Sequence, residues 1–384
     1  MRNVRKRQPG HTRPNAMLSR LPGKTDLAVA ALSALLVPPS RLWALGRRLK
    51  AKLHAMGLCR TCRPKALSVG VGGMAAESRG RVLLTSWLLG WARARDVAVA
   101  LAASPGDGRP PVVPYQLTPG DDCDVTGIEA ALIASYAPDA RLILDTDPIR
   151  AAKTAERTFA PEMLVLQDAL ADPRLKKDIE LAILTADDLG AGWDRVFPAG
   201  HWRRDASALA QADAFCVFAG PLGQHAALEA AKKRLAPFDK PVFGLSFNIW
   251  RWHGPEKAVA GEELAGAPYV AVLAESDREL LPEMLRRQIG VAPRIIFFVH
   301  DRHRFSLQDF ENLRADAARF KARNILTAPR LALKLAQHGG ILDGYAMWTY
   351  DPEVVFGPSL TDGTPFLTWW EEAFEQAARK RNTP

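Results

Sequence analysis

Three stretches of this chain carry residue types that could do chemistry. Asp168 follows the apolar run Met163 to Gln167, and a single carboxylate at the end of a buried strand is well placed to take a proton from a hydroxyl. The plainer role for an aspartate there is to cap the turn that follows. Arg203 comes three residues after Pro198-Ala199-Gly200. A guanidinium fork in a turn beside a cleft can pair two phosphate oxygens at once, although a surface cation would fit the same sequence. The third stretch runs from Ala66 to Val82 and contains Gly70, Gly72 and Gly73. A short apolar segment runs into glycines and then into a helical pattern at Val82, Leu83, Trp87, Leu88 and Trp91, the strand, loop, helix order of a phosphate-cradling loop. In such loops backbone N–H groups approach the phosphates, a lysine reaches the outer ones and a Ser or Thr hydroxyl holds magnesium. Here the Lys-Thr pair is absent.

The elements that must position these residues alternate. Asp96 to Ala102 reads as a strand, Ile128 to Tyr136 as a helix, Arg141 to Leu144 as a strand and Pro148 to Thr158 as a helix. That alternation predicts an α/β fold with a parallel sheet flanked by helices on both faces. Ligands of such sheets sit at the carboxyl ends of the strands. From about Pro237 a second alternating region begins, with apolar runs at Val242–Phe247, Tyr269–Leu273, Leu280–Arg287, Ile295–Val299 and Ile325–Thr327. The expected organisation is a disordered basic tail over 1–16, N-terminal membrane-interface helices over 17–63, a P-loop-like α/β domain over 64–236 and a smaller α/β domain with the C-terminal segment over 237–384.

Composition excludes disorder throughout: of 384 residues, 48% are hydrophobic and 24% charged, as in a folded globular chain. The net charge of +9 is concentrated at one end, because residues 1 to 65 hold fifteen Lys or Arg and one acid, Asp26, and the rest of the chain is net acidic. Nucleic acid is therefore not an expected partner. Leu27 to Val37 is apolar but too short to span a bilayer. After Pro38-Pro39 a helix is expected from Arg41 to Met56, with Leu42, Leu45, Leu49, Leu53 and Met56 on one arc and Arg47, Arg48, Lys50 and Lys52 around the other side. Such a helix either lies in an anionic membrane surface or packs its apolar arc on the core. Cys59 and Cys62 form a lone C-x-x-C that reads as two reduced thiols, so no protein metal site is expected, and a reducing cytoplasm is the natural setting.

The loop, Pro198-Ala199-Gly200 with Arg203, and the segment Asp168 to Glu180 together resemble the tetraacyldisaccharide 4'-kinases of lipid A biosynthesis. That family's loop reads roughly V-G-N-x-x-x-G-G-T-G-K-T-P, which puts Val-Gly on Val69-Gly70, the lysine on Arg79 and the threonine on Gly80. Its D-D-G-x-Q-H motif falls with the second Asp on Asp168, its P-A-G-P-L-R segment keeps Pro198 to Gly200 and Arg203, and its V-G-D-E-P segment keeps Gly120-Asp121. In Phe298 to Phe305 the family's F-x-D-H-H-x-F/Y keeps Asp301, His303 and Phe305, with Arg302 in place of the first histidine. Histidine is a useful proton acceptor because its pKa lies near neutrality; the bland reading of His303 is a surface residue.

The resemblance runs from about Met17, so Met1 and Met17 are both candidate starts, to about Leu335. It implies a P-loop NTPase-like fold that uses ATP and Mg2+ to phosphorylate the 4'-hydroxyl of tetraacyldisaccharide 1-phosphate at the cytoplasmic face of the bacterial inner membrane. The site residues it implies are Asp168, His303 and Asp301 for catalysis, and Gly70, Gly72, Gly73, Ser78 and Arg79 for nucleotide. Arg203, Arg204 and Asp121 are implied for the lipid A disaccharide precursor. The alternative is a family member without turnover, retained as a lipid-binding or regulatory protein at that membrane.

Overall fold

The computed structural model describes residues 36–75, 80–168, 170, 172–220, 223–254, 258–259, 264–301, 303–336 and 342–382. The basic tail, the apolar segment as far as residue 35, Ser78, Arg79 and Arg302 lie outside the described residues.

Among the described residues thirteen strands form one mixed sheet: β1 (Leu67–Gly73), β2 (Val99–Ala103), β3 (Tyr115–Gln116), β4 (Arg141–Leu144), β5 (Met163–Gln167), β6 (Ile179–Thr185), β7 (Ala214–Phe218), β8 (Val242–His253), β9 (Ala258–Val259), β10 (Tyr269–Ala274), β11 (Ile296–Val299), β12 (Asn324–Thr327) and β13 (Ala346–Phe356). Their order is β11-β10-β12-β13-β8-β7-β6-β1-β5-β2-β4-β3, with β9 paired to β8. Neighbours run parallel except β3 with β4, β8 with β9 and β8 with β13. The long antiparallel pair β8–β13 is the seam that joins the strands of the two halves of the chain.

Helices of eight or more residues among the described residues are α1 (Val37–Ala55), α2 (Arg81–Ala94), α3 (Ile128–Tyr136), α4 (Pro148–Phe159), α5 (Gln224–Leu235), α6 (Leu281–Ile289), α7 (Leu307–Arg319), α8 (Pro329–Ala336) and α9 (Phe366–Asn382). Local signals set several of their ends. Asp147 caps α4 by accepting from Ile149 N at 3.2 Å, with Pro148 at the first position. Ser306 and Asp309 form a reciprocal capping box on α7. The core strands are buried on both faces, which is why β1, β5 and β7 read as continuous apolar or glycine runs rather than as alternation.

Gly70, Gly72 and Gly73, expected in the loop, lie instead inside β1, where all seven residues are buried. Their smallness is used for packing: a Cβ on Gly70 would strike the Glu180 carboxylate, and one on Gly72 would come within 2.6 Å of Leu170 Cβ. The chain turns only after Gly73 and enters α2 at Gly80, whose φ of 85° is the left-handed region that favours glycine.

α1 also departs from one of its two expected roles. It buries Ser40, Ala44 and His54 against the protein and leaves Leu42, Trp43, Leu45, Leu49 and Met56 exposed, so the apolar arc does not pack on the core. Ser40 Oγ accepts from Ala199 N at 2.8 Å, and Arg48 pairs with Asp205 at 2.9 Å. No helix among the described residues is long and apolar enough to cross a membrane.

Candidate functional site

At the carboxyl edge of the parallel strands a cavity of about 370 Å³ opens between β5, α2, α3 and the turn after β2. Asp168, the residue after β5, is its centre. Its N–H bonds Val71 O at 2.8 Å, and it holds a φ of 62°, left-handed backbone that Asp tolerates better than most residues but still at some cost. One carboxylate oxygen accepts from Arg81 Nη1 at 3.1 Å and the other is ion-paired with Arg203 Nη1.

Arg81 is only 4% exposed. Its fork is shared: Nε and Nη2 donate to the Glu129 carboxylate at 3.1 and 2.8 Å, while Nη1 reaches Asp168. Gln167 Nε2 donates to Glu129 Oε2 at 3.4 Å. Glu129 stands in the first turn of α3, where the helix dipole favours a negative charge. Arg203 is carried in by the segment after Gly200. There Trp202 is fully buried with its Nε1 donating to Asp188 Oδ1 at 2.7 Å, and Arg203 N bonds Met74 O at 2.8 Å. This bond and a bridge between Ala75 and Trp202 tie the segment to the chain leaving β1. Asp107 and Arg330 add to the charged lining, so among the described residues three guanidiniums and three carboxylates line it.

Of the expected site residues that are described, Asp168 and Arg203 meet in this cavity, and the others stand elsewhere. Asp121 closes a turn after β3, accepting from Thr118 N at 2.8 Å, Thr118 Oγ1 at 2.9 Å and Tyr115 OH at 3.0 Å. Burial opposes its ionisation, but these bonds together hold the carboxyl below its ordinary range. Arg204 is not among the lining residues and is 4% exposed with Nη1 unpartnered. Burial first, then the nearby charge of Arg47, lowers its pKa. His303 is not among the lining residues; its Nε2 is 3.1 Å from Asp309 Oδ2 and its ring is edge-on to Phe305. Asp301 is bonded by Ser276 Oγ and lies 3.9 Å from Arg330, one residue behind the lining.

Arg81, Glu129 and Arg330 are the site residues that sequence reasoning passed over. The signal for Arg81 was a second arginine two places after Arg79 at the loop-to-helix junction; Glu129 and Arg330 offered only a charged residue in the first turn of a helix.

A basic and acidic cluster at the carboxyl edge of a mostly parallel sheet, beside a strand-to-helix turn, stands where α/β proteins of this class bind their ligands. The sequence profile of the tetraacyldisaccharide-1-P 4'-kinase family matches residues 32–362, and the chain belongs to that family. It is 31% identical over 354 residues to the tetraacyldisaccharide 4'-kinase of Nitratidesulfovibrio vulgaris, covering 91% of this chain and 96% of that one. It is 28% identical to the enzyme of the same name from Oleidesulfovibrio alaskensis over 83% of this chain and 90% of that one. A crystal structure of LpxK from Aquifex aeolicus in complex with ATP shares the fold, with a TM-score of 0.66 over 90% of this chain and 99% of that chain, at 16% identity.

Proposed function

We propose that this protein transfers the γ-phosphate of ATP to the 4'-hydroxyl of tetraacyldisaccharide 1-phosphate at the cytoplasmic face of the inner membrane. The observation that carries the reading is the meeting of Asp168 with Arg81, Arg203 and Arg330 around one cavity at the carboxyl edge of the sheet.

Phosphoryl transfer rests on positioning and on neutralising charge, with little covalent work for the protein. The guanidiniums suit the phosphate oxygens. When phosphates compete for Arg81 and Arg203, the Asp168 carboxylate is released to accept the proton of the acceptor hydroxyl. The hydroxyl oxygen bonds the γ-phosphorus, the bond to the β–γ bridging oxygen breaks, and ADP leaves with that electron pair. Mg2+ is held in many phosphate sites by one or two carboxylates together with the phosphates themselves. Asp107, a lining carboxylate other than the base, is a hard oxygen donor that fits this ion. Gly80 does not fit a family-like threonine ligand, because a Cβ there would lie 3.0 Å from Phe218 and 3.1 Å from Leu245. When bound, the ion supplies positive charge that the balanced lining lacks.

The exposed apolar arc of α1, with Lys50 and Lys52 beside it and Phe197 exposed nearby, supports contact with an anionic membrane surface. A second reading, a lipid-binding relative without turnover, is favoured by Gly80 and by the mutual pairing of Asp168 with two arginines. Phosphate transfer from ATP-Mg to tetraacyldisaccharide 1-phosphate in detergent micelles separates the two. Product that falls at least about 100-fold in Asp168→Ala supports the kinase reading. Folded native protein that binds the lipid but forms no product supports the second.

A further inference from the structure

Among the described residues, Arg330 is the one guanidinium of the cavity lining supplied by the second half of the chain. It stands in the first turn of α8, just after β12, where Thr327 Oγ1 donates to Val272 O at 2.8 Å and fixes the junction. A cation in the first turn works against the helix dipole. One turn further on, Lys334 adds a second positive charge on the same face; its Nζ donates to the carbonyls of Asp301 and His303 at 3.0 and 3.3 Å. Burial first, and then the charge of Arg330, lowers the pKa of Lys334, so the two cations disfavour each other.

Arg330 has little to offset this. Its contact with Asp301 is loose, at 3.9 Å, and Asp301 is already engaged by Ser276. Its Nε is buried with no hydrogen-bond partner. Arg81 and Arg203, in contrast, each hold a carboxylate of the same cavity at bonding distance. An ill-paired cation, set against a helix dipole and beside another cation, lining a polar cavity, answers a demand for an anion that the protein itself does not supply.

We propose that Arg330 binds a phosphate group of the ligand, so that an anion in the cavity is gripped from both halves of the chain. The kinase reading supplies the two sources of that phosphate, the nucleotide and the acceptor's sugar 1-phosphate; the demand for an anion comes from Arg330 itself.

Calorimetric titration of the full chain with ATP-Mg, and separately with glucosamine 1-phosphate, tests it. Arg330→Ala is expected to weaken one of the two at least about tenfold with an unchanged melting temperature, and Arg330→Lys to recover part of the loss. Loss for ATP assigns the contact to the nucleotide; loss for the sugar phosphate assigns it to the acceptor. Binding of both probes to Arg330→Ala within twofold of the native chain overturns the proposal and leaves the kinase reading standing. So does a loss accompanied by a lower melting temperature that Arg330→Lys does not recover, which marks a structural role. A native chain that binds neither probe overturns both.

Discussion

The central strand β1 has a carboxylate–arginine cluster at each end, and the two clusters do different things. Where β1 starts, Asp178 is 4% exposed and accepts from Ser68 N and Oγ, both at 2.8 Å, from Arg63 at 2.9 Å and from Arg381 Nε at 2.8 Å. Arg381 comes from the last turns of α9 and also bonds the Pro64 carbonyl at 2.9 Å. Where β1 ends, Asp168 is held by Arg81 and Arg203 but faces a cavity from a left-handed backbone position. The groups are the same. The first cluster is sealed by a helix whose Trp370 packs on Trp91 at 5.3 Å, and it works as a clamp for the C-terminal segment. The second is open to a ligand, because parallel strands leave their carboxyl ends to loops.

Cutting each cluster should therefore produce different losses. Asp178→Asn leaves Arg381 and Arg63 without their counter-charge and should cost about 3 kcal/mol of stability by denaturant unfolding, with kcat of the folded fraction retained. Gly80→Ala, at the mouth of the open cluster, forces a methyl group toward Phe218 and Leu245 at a positive φ; a loss of about 1–3 kcal/mol in the same assay is expected.

The sealed cluster should also respond to acid. Burial alone would raise the Asp178 carboxyl, but the bonds from Arg381, Ser68 and Arg63 outweigh it and hold its pKa below the ordinary value. A depressed acid contributes stability that is present above its unfolded pKa and is lost as the pH falls through the folded one. The melting temperature should therefore drop as the pH is taken below about 4, and Arg381→Ala should flatten that slope. The smallest effect is expected far from both clusters. Leu45→Glu on the exposed arc of α1 should leave stability within about 0.5 kcal/mol while reducing sedimentation of the protein with anionic vesicles.

The sequence was legible where one element decides its own state. Ile128 to Tyr136 and Arg141 to Leu144 form the helix and strand that their apolar patterns predict, residue for residue. β8 runs on from the predicted Val242–Phe247 to His253, because its second half is held by pairing with β13, nearly a hundred residues away. The glycines were misplaced for a related reason: a glycine that makes room for Glu180 or Leu170 inside a strand looks the same in sequence as one that turns a loop. Asp168 and Arg203 were found through the motifs around them. Arg81 and Glu129 were not, since their pairing couples two helix starts 48 positions apart and leaves no periodic trace. Arg330 leaves no motif in the sequence, yet the fold brings it to the cavity wall.

The most direct test of the difference between the two clusters is to measure phosphate transfer and melting temperature together for Asp168→Asn and Asp178→Asn. A crossed result is expected. Asp168→Asn should lose at least about 100-fold in kcat and melt close to the native protein, whereas Asp178→Asn should melt clearly lower and keep its kcat. An Asp168→Asn protein that transfers phosphate at the native rate would contradict the assignment of the open cluster as the site of chemistry.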